Sequence, residues 1–127
     1  PDGQWMAYTS DASGHAEVYI ESMAAGGAPR QISLAGGISP HWRSDGRELY
    51  FISERKLMAV DLNPGPELTF KTPHVLFEEP MLINESGGVS YQPNADGSQF
   101  LMLLPVGGPP AAPPLTVVTN WLKAYGK

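Results

Sequence analysis

Asp45-Gly46-Arg47-Glu48-Leu49-Tyr50-Phe51 decides how this chain reads, because an Asp-Gly turn runs straight into a strand-length apolar stretch. The pattern occurs earlier as Asp2-Gly3-Gln4-Trp5-Met6-Ala7-Tyr8 and later as Asp96-Gly97-Ser98-Gln99-Phe100-Leu101-Met102. The turns at 2, 45 and 96 are therefore 43 and 51 residues apart. Asp-Gly is a strong short hairpin signal, since glycine accepts positive φ without steric cost. A β-rich period of roughly 40–50 residues marks propeller blades, units that cannot bury their faces alone and must stack. The expected architecture is all-β: a single partial β-propeller domain spanning residues 1–127, with about three four-stranded antiparallel blades.

The composition agrees. Of the 127 residues, 42% are apolar, and 14 glycines and 13 prolines punctuate the chain. That suits many short strands joined by turns and is poor material for long helices. A net charge of −5 with no basic run argues against nucleic acid as a partner. No stretch reaches the ~18 consecutive apolar residues that span a bilayer, so no membrane insertion is expected. The absence of cysteine removes disulfides and thiolate chemistry. Pro1-Asp2-Gly3 opens inside a repeat, so further chain is expected before it.

Three blade units follow, at about 1–35, 36–80 and 81–127. In the first, residues 5–10 and 17–23 read as strands around an Asp11-Ala12-Ser13-Gly14 turn, and polar residues 30–34 as a short outer strand. The second places strands at 38–42, 48–53, 57–62 and 74–77, with Pro40 early in the first of them and Asn63-Pro64-Gly65-Pro66 as a break. The third places strands at 89–91, 100–104 and 115–120 around a Pro-rich loop at 105–114. Leu49-Tyr50-Phe51-Ile52 and Phe100-Leu101-Met102-Leu103-Leu104 are apolar at consecutive positions, which predicts strands covered on both faces. Unit one lacks its innermost strand and unit three its outermost. The whole amounts to about half of a six-bladed ring.

At these residues the chain resembles the TolB-type, WD-repeat-like β-propeller family of bacteria. The family's repeat typically carries a Trp-Ser-Pro-Asp-Gly turn before an aromatic-rich strand. Trp42-Arg43-Ser44-Asp45-Gly46 is similar, with Arg43-Ser44 in place of Ser-Pro, and Pro1-Asp2-Gly3-Gln4-Trp5 resembles its last part. Gly26-Gly27-Ala28-Pro29-Arg30-Gln31-Ile32-Ser33 resembles the family's turn into the outer strand, whereas Pro93-Asn94-Ala95 before the third Asp-Gly departs from it. Residues 100–121 look like the closing segment of propellers attached to some bacterial serine/threonine kinases. The resemblance implies scaffolds, sensors and domains beside hydrolases, and favours a periplasmic or extracytoplasmic setting. Fold alone does not give function.

Catalytic motifs are weak. Gly37-Ile38-Ser39-Pro40-His41 lacks the second glycine of a nucleophile elbow, and the sequence places no acid beside Ser39 and His41, which would share a strand face. His15, His41 and His74 lack metal-ligand spacing. Asp2, Asp45 and Asp96 read as turn residues that bond their own backbone, set far apart on separate blades. Asn84-Glu85-Ser86 is a formal sequon. The two ligand-contact candidates are His41, on an inner strand that would line a central channel, and Trp121, at the open end of the last blade. Trp5, Trp42, Tyr50, Phe51 and Tyr91 read as packing between blades. The expected function is a non-enzymatic module that binds a protein or peptide on several loops of a rigid scaffold, without a cofactor. The alternative is an accessory or sensor domain of a larger kinase or hydrolase. Two open blade faces also predict self-association, with two copies completing one ring.

Overall fold

The computed structural model describes residues 1–24, 26–79, 91–103 and 115–118, the last four by backbone alone. Among them there is no helix, and none long and apolar enough to cross a membrane. Eleven strands form three antiparallel sheets.

The first sheet is β1 (Trp5–Ser10), β2 (Glu17–Ser22) and β3 (Arg30–Gln31), in that order. The second runs β4 (Ile38–Trp42), β5 (Glu48–Ser53), β6 (Lys56–Asn63) and β7 (Thr69–Phe70). The long β6 divides its outer edge: Leu62 and Asn63 pair with β7, while residues 56–59 pair with β8 (His74–Glu78). The Asn63-Pro64-Gly65-Pro66 break lets the chain turn back along β6 a first time. The third sheet is β9 (Tyr91–Pro93), β10 (Phe100–Leu103) and β11 (Leu115–Val118), with β10 in the middle.

The three Asp-Gly turns share one local design. Asp2, Asp45 and Asp96 each accept, through Oδ1, the backbone N–H two residues on, at 2.9 Å in all three cases. The glycines that follow sit at φ +75°, +71° and +74°, where a side chain is strained. Each carboxylate thus holds the chain for the reversal that the next glycine completes.

Packing gives the sheets their arrangement. Strand β5 points Leu49 and Phe51 to one side and Tyr50 and Ile52 to the other, and all four are essentially fully buried. Leu49 and Phe51 join Val18 and Ile20 of the first sheet and Ile32 just beyond it, with Val60, Leu62 and Leu68 beside them. Tyr50 and Ile52 join Tyr91, Phe100 and Met102 of the third sheet, with Leu57, Leu76 and Phe77 beside them. Tyr50 and Phe77 both meet Phe100 edge-on, at 5.0 and 5.9 Å between ring centroids. Burying each such side chain contributes roughly 1.5–3 kcal/mol. The exposed Lys71–Asp61 ion pair, at 3.0 Å, belongs to a class that contributes under about 1 kcal/mol. Apolar contact between sheets therefore dominates. Arg30 closes the outer edge of the first junction. Its guanidinium lies 5.5 Å from the Trp5 ring and 5.3 Å from Phe70, and donates to the Leu68 carbonyl at 2.6 Å.

Three expectations need correction. Strand β10 is not covered on both faces: Phe100 and Met102 are buried, but Leu101 and Leu103 are 37% and 45% exposed, because among the described residues the third sheet packs against the second alone. The outer strand at 30–34 is regular over only two residues. Ile32 and Ser33 leave the edge and bury themselves, each N–H directed to the Val18 carbonyl. Strand β7 was not anticipated, since Thr69-Phe70 is too short to show alternation. The Pro-rich loop at 105–114, residues 89–90, the sequon at 84–86 and the tail from 119 lie outside the described residues.

The third turn is locked by contact. A Cβ on Gly97 would lie 1.9 Å from the Tyr50 hydroxyl oxygen, and Tyr50 is buried. Gly97→Ala should destabilise by roughly 2 kcal/mol or more, from left-handed strain plus the clash. Gly14→Ala, at φ +100° in open space, should show only the conformational cost of roughly 1 kcal/mol. Urea unfolding of the two variants measures the difference.

Candidate functional site

His41 lies on β4 next to a β-bulge. The β4–β5 register shifts between Ile38 and His41, around Ser39-Pro40. Pro40 has no N–H to give the ladder, and the bulge absorbs that loss. Ser39 adopts φ +55°, uncommon for a residue with a side chain. Two neighbours hold it there: its N–H donates to Thr9 Oγ1 at 3.2 Å, and its carbonyl accepts the Tyr91 hydroxyl at 2.7 Å. The bulge is thus the point where β1, β4 and β9 are tied together. It also breaks the two-residue alternation, so the expected common face of Ser39 and His41 does not follow from the strand. His41 is half-buried with its ring edge-on to Tyr91 at 4.7 Å. Burial pulls its imidazole below the ordinary 6.5 and pushes the Tyr91 hydroxyl up. Trp121 lies outside the described residues.

A second constellation sits at the turn end. Arg43 donates from Nε and Nη2 to the two Asp45 carboxylate oxygens, both at 2.8 Å, and from Nη1 to Glu48 at 2.8 Å. Glu48 also accepts the Tyr50 hydroxyl at 2.8 Å. The hydrogen bonds from Arg43, helped by the Arg47 N–H, hold the Asp45 carboxyl at about 2. Ser44 reaches across to the third unit, donating from Oγ to the Ala95 carbonyl at 2.6 Å. On the other side Gly46 and Pro1 line one cleft. The three turns therefore form a row along one end of the stacked sheets.

Between the first two turns is a cleft of about 260 Å³. Trp5 and Trp42 wall it with Leu68 and Pro64, while Asp2, Ser44 and Asp45 line it together with Pro1 and Gly46. The sequence reading placed Asp2 and Asp45 far apart; the stacking of unit on unit brings both to this one cleft. Nothing in the local pattern could have revealed it, because its walls come from different repeats. Two indoles and two carboxylates form a surface that suits a cation, through ring quadrupoles and charge.

Glu17 is a third feature, buried at the far end of β2. Burial pushes its carboxyl up, but hydrogen bonds from the Ser33 hydroxyl, the Gly36 N–H at 3.1 Å and His15 Nε2 at 2.8 Å outweigh this and set it below its usual range. Here a serine, a glutamate and a histidine meet with the carboxylate in the middle. That order sets a carboxylate of lowered basicity, and not the imidazole, against the hydroxyl, which is not the order of a Ser-His-acid triad. Its work is to pin the 33–36 segment to β2. Among the described residues no group of three or more His, Cys, Asp or Glu side chains could hold a metal ion.

A scan against protein-family models and a search of the curated proteins return no match to this chain.

The pKa shifts set the acid response. A group lowered in the folded state stabilises the fold above its unfolded value, and that stability is lost as pH falls through the folded value. For His41 the loss begins below pH 6.5. For Asp45 it falls between 3.8 and about 2. Urea midpoints should decline across both windows. His41→Phe should abolish the upper decline and Asp45→Asn should reduce the lower one.

Proposed function

We propose that this chain is a non-enzymatic protein- or peptide-binding module built as part of a β-propeller, and that its ligand engages the cleft between the first two Asp-Gly turns with a basic side chain. The observation that carries this reading is the cleft itself, with Trp5 and Trp42 as walls and Asp2 and Asp45 within it. The stacked antiparallel sheets and their repeated turns support the propeller part, since each turn is presented at the same end of a rigid, close-packed scaffold. The net charge of −5 favours encounter with a basic partner. Arg43 faces both Asp45 and Glu48, and Arg47 also acts on Asp45, so Asp2 supplies the charge that the ligand meets in the cleft. Arg30 against Trp5 shows that this indole already accepts a guanidinium on its surface. A single anchored side chain supports an affinity on the order of millimolar, and several loops acting together raise it.

Titration followed by tryptophan fluorescence tests the reading. Acetyl-Gly-Arg-Gly-amide should give a saturable change, and acetyl-Gly-Glu-Gly-amide none. Trp42→Phe should remove most of the response. Asp2→Asn, which keeps the oxygen that holds the turn, should weaken binding about fivefold, the equivalent of ~1 kcal/mol. Equal responses to the two peptides would refute the cleft as a cation site.

A further inference from the structure

We infer that a second copy of this chain covers the open face of the third sheet, laying the outer face of its own first sheet onto Leu101 and Leu103. The argument starts from repeat register. Aligned on the Asp-Gly turns, Met6, Leu49 and Phe100 are equivalent, as are Ala7, Tyr50 and Leu101, and Tyr8, Phe51 and Met102. Two of these sets make the junctions already present. Ala7 of the first sheet packs against the cluster containing Leu49 and Phe51 of the second. Tyr50 of the second packs with Phe100 and Met102 of the third. In both junctions the Ala7-type face of one sheet meets the Met6/Tyr8-type face of the next.

Among the described residues the rule leaves one face of each type unused, at opposite ends of the stack. Leu101 and Leu103 are 37% and 45% exposed on the third sheet, and Met6 is 42% exposed on the first. The latter face also carries Tyr8 stacked on Tyr19, at 5.9 Å between centroids, with Glu21 accepting the Tyr8 hydroxyl at 3.2 Å. Beside the two tyrosines is a hollow of about 320 Å³, bounded by Ser10, Ala12, Ser13 and Pro29, open to receive side chains from a facing sheet. One chain therefore bears both halves of a junction it makes twice internally, but cannot bring its own two ends together. A second copy can. Two copies related by a twofold axis form the junction twice and leave neither face in water. The inference rests on the stacked-sheet part of the proposed function and is independent of the cleft, so pairing and peptide binding can fail separately.

Sedimentation velocity on the full 127-residue chain tests it. The chain should be a dimer that dissociates on dilution. Leu101→Lys and Met6→Lys should each be monomeric, because in a pair of identical variants both junctions carry the lysine. An equimolar mixture of the two should recover a dimer, since one junction then joins two unaltered faces. Near-UV circular dichroism checks folding, and Leu103→Lys replaces Leu101→Lys if that variant fails to fold. A parent chain that stays monomeric up to about 1 mM overturns the inference. So does a Met6→Lys variant that still pairs, which would mean like faces associate, or a mixture that recovers no dimer.

Discussion

Everything in this molecule depends on β5 being buried on both faces. Leu49 and Phe51 lean on the first sheet and Tyr50 and Ile52 on the third, and β6 beside it is shared likewise, with Leu57 and Ala59 in one cluster and Val60 and Leu62 in the other. Two-sided burial orders the sheets as a stack rather than a sandwich with one wet face. It also sets the positions of the turns. With the sheets held face to face, the three Asp-Gly reversals come to the same end, where Ser44 bonds Ala95 and Gly46 shares a cleft with Pro1. The cleft between Trp5 and Trp42 is a consequence of that alignment, as the bulge at Ser39 is a consequence of tying β4 to both neighbours.

Polar chemistry is concentrated where the stack must be registered rather than merely compressed. Arg43 joins Asp45 and Glu48, and Glu48 accepts the hydroxyl of Tyr50, whose ring is in the second junction. Burial and Glu48 both push that hydroxyl upward, keeping it protonated as a donor. Glu17 does comparable work at the opposite end of the first sheet. Charged hydrogen bonds hold loops, and apolar side chains supply the bulk of the cohesion.

Much of the strand pattern was legible from local chemistry. The spans at 5–10, 38–42 and 48–53 coincide with β1, β4 and β5, because turn residues with a definite backbone role bound them. The turn role of the aspartates was legible for the same reason. Coverage of β10 was not: its run of apolar residues matches that of β5, and only the number of neighbouring sheets distinguishes them. Strand β7 carries too few residues for a period to appear. The site was the least legible part. His41 could be singled out on its strand, but its contact with Tyr91 and the meeting of Asp2 with Asp45 arise between repeats, where a linear reading has no register to follow.

The two-sided burial of β5 is tested most directly by native-state hydrogen exchange. If the three sheets stand or fall together through this strand, the amides of Tyr50 and Phe51 open only when the whole chain unfolds, and their exchange free energy equals the unfolding free energy from urea denaturation. Exchange through local opening, with a free energy well short of the global value, would show that the middle sheet is not clasped between its neighbours and would contradict the account.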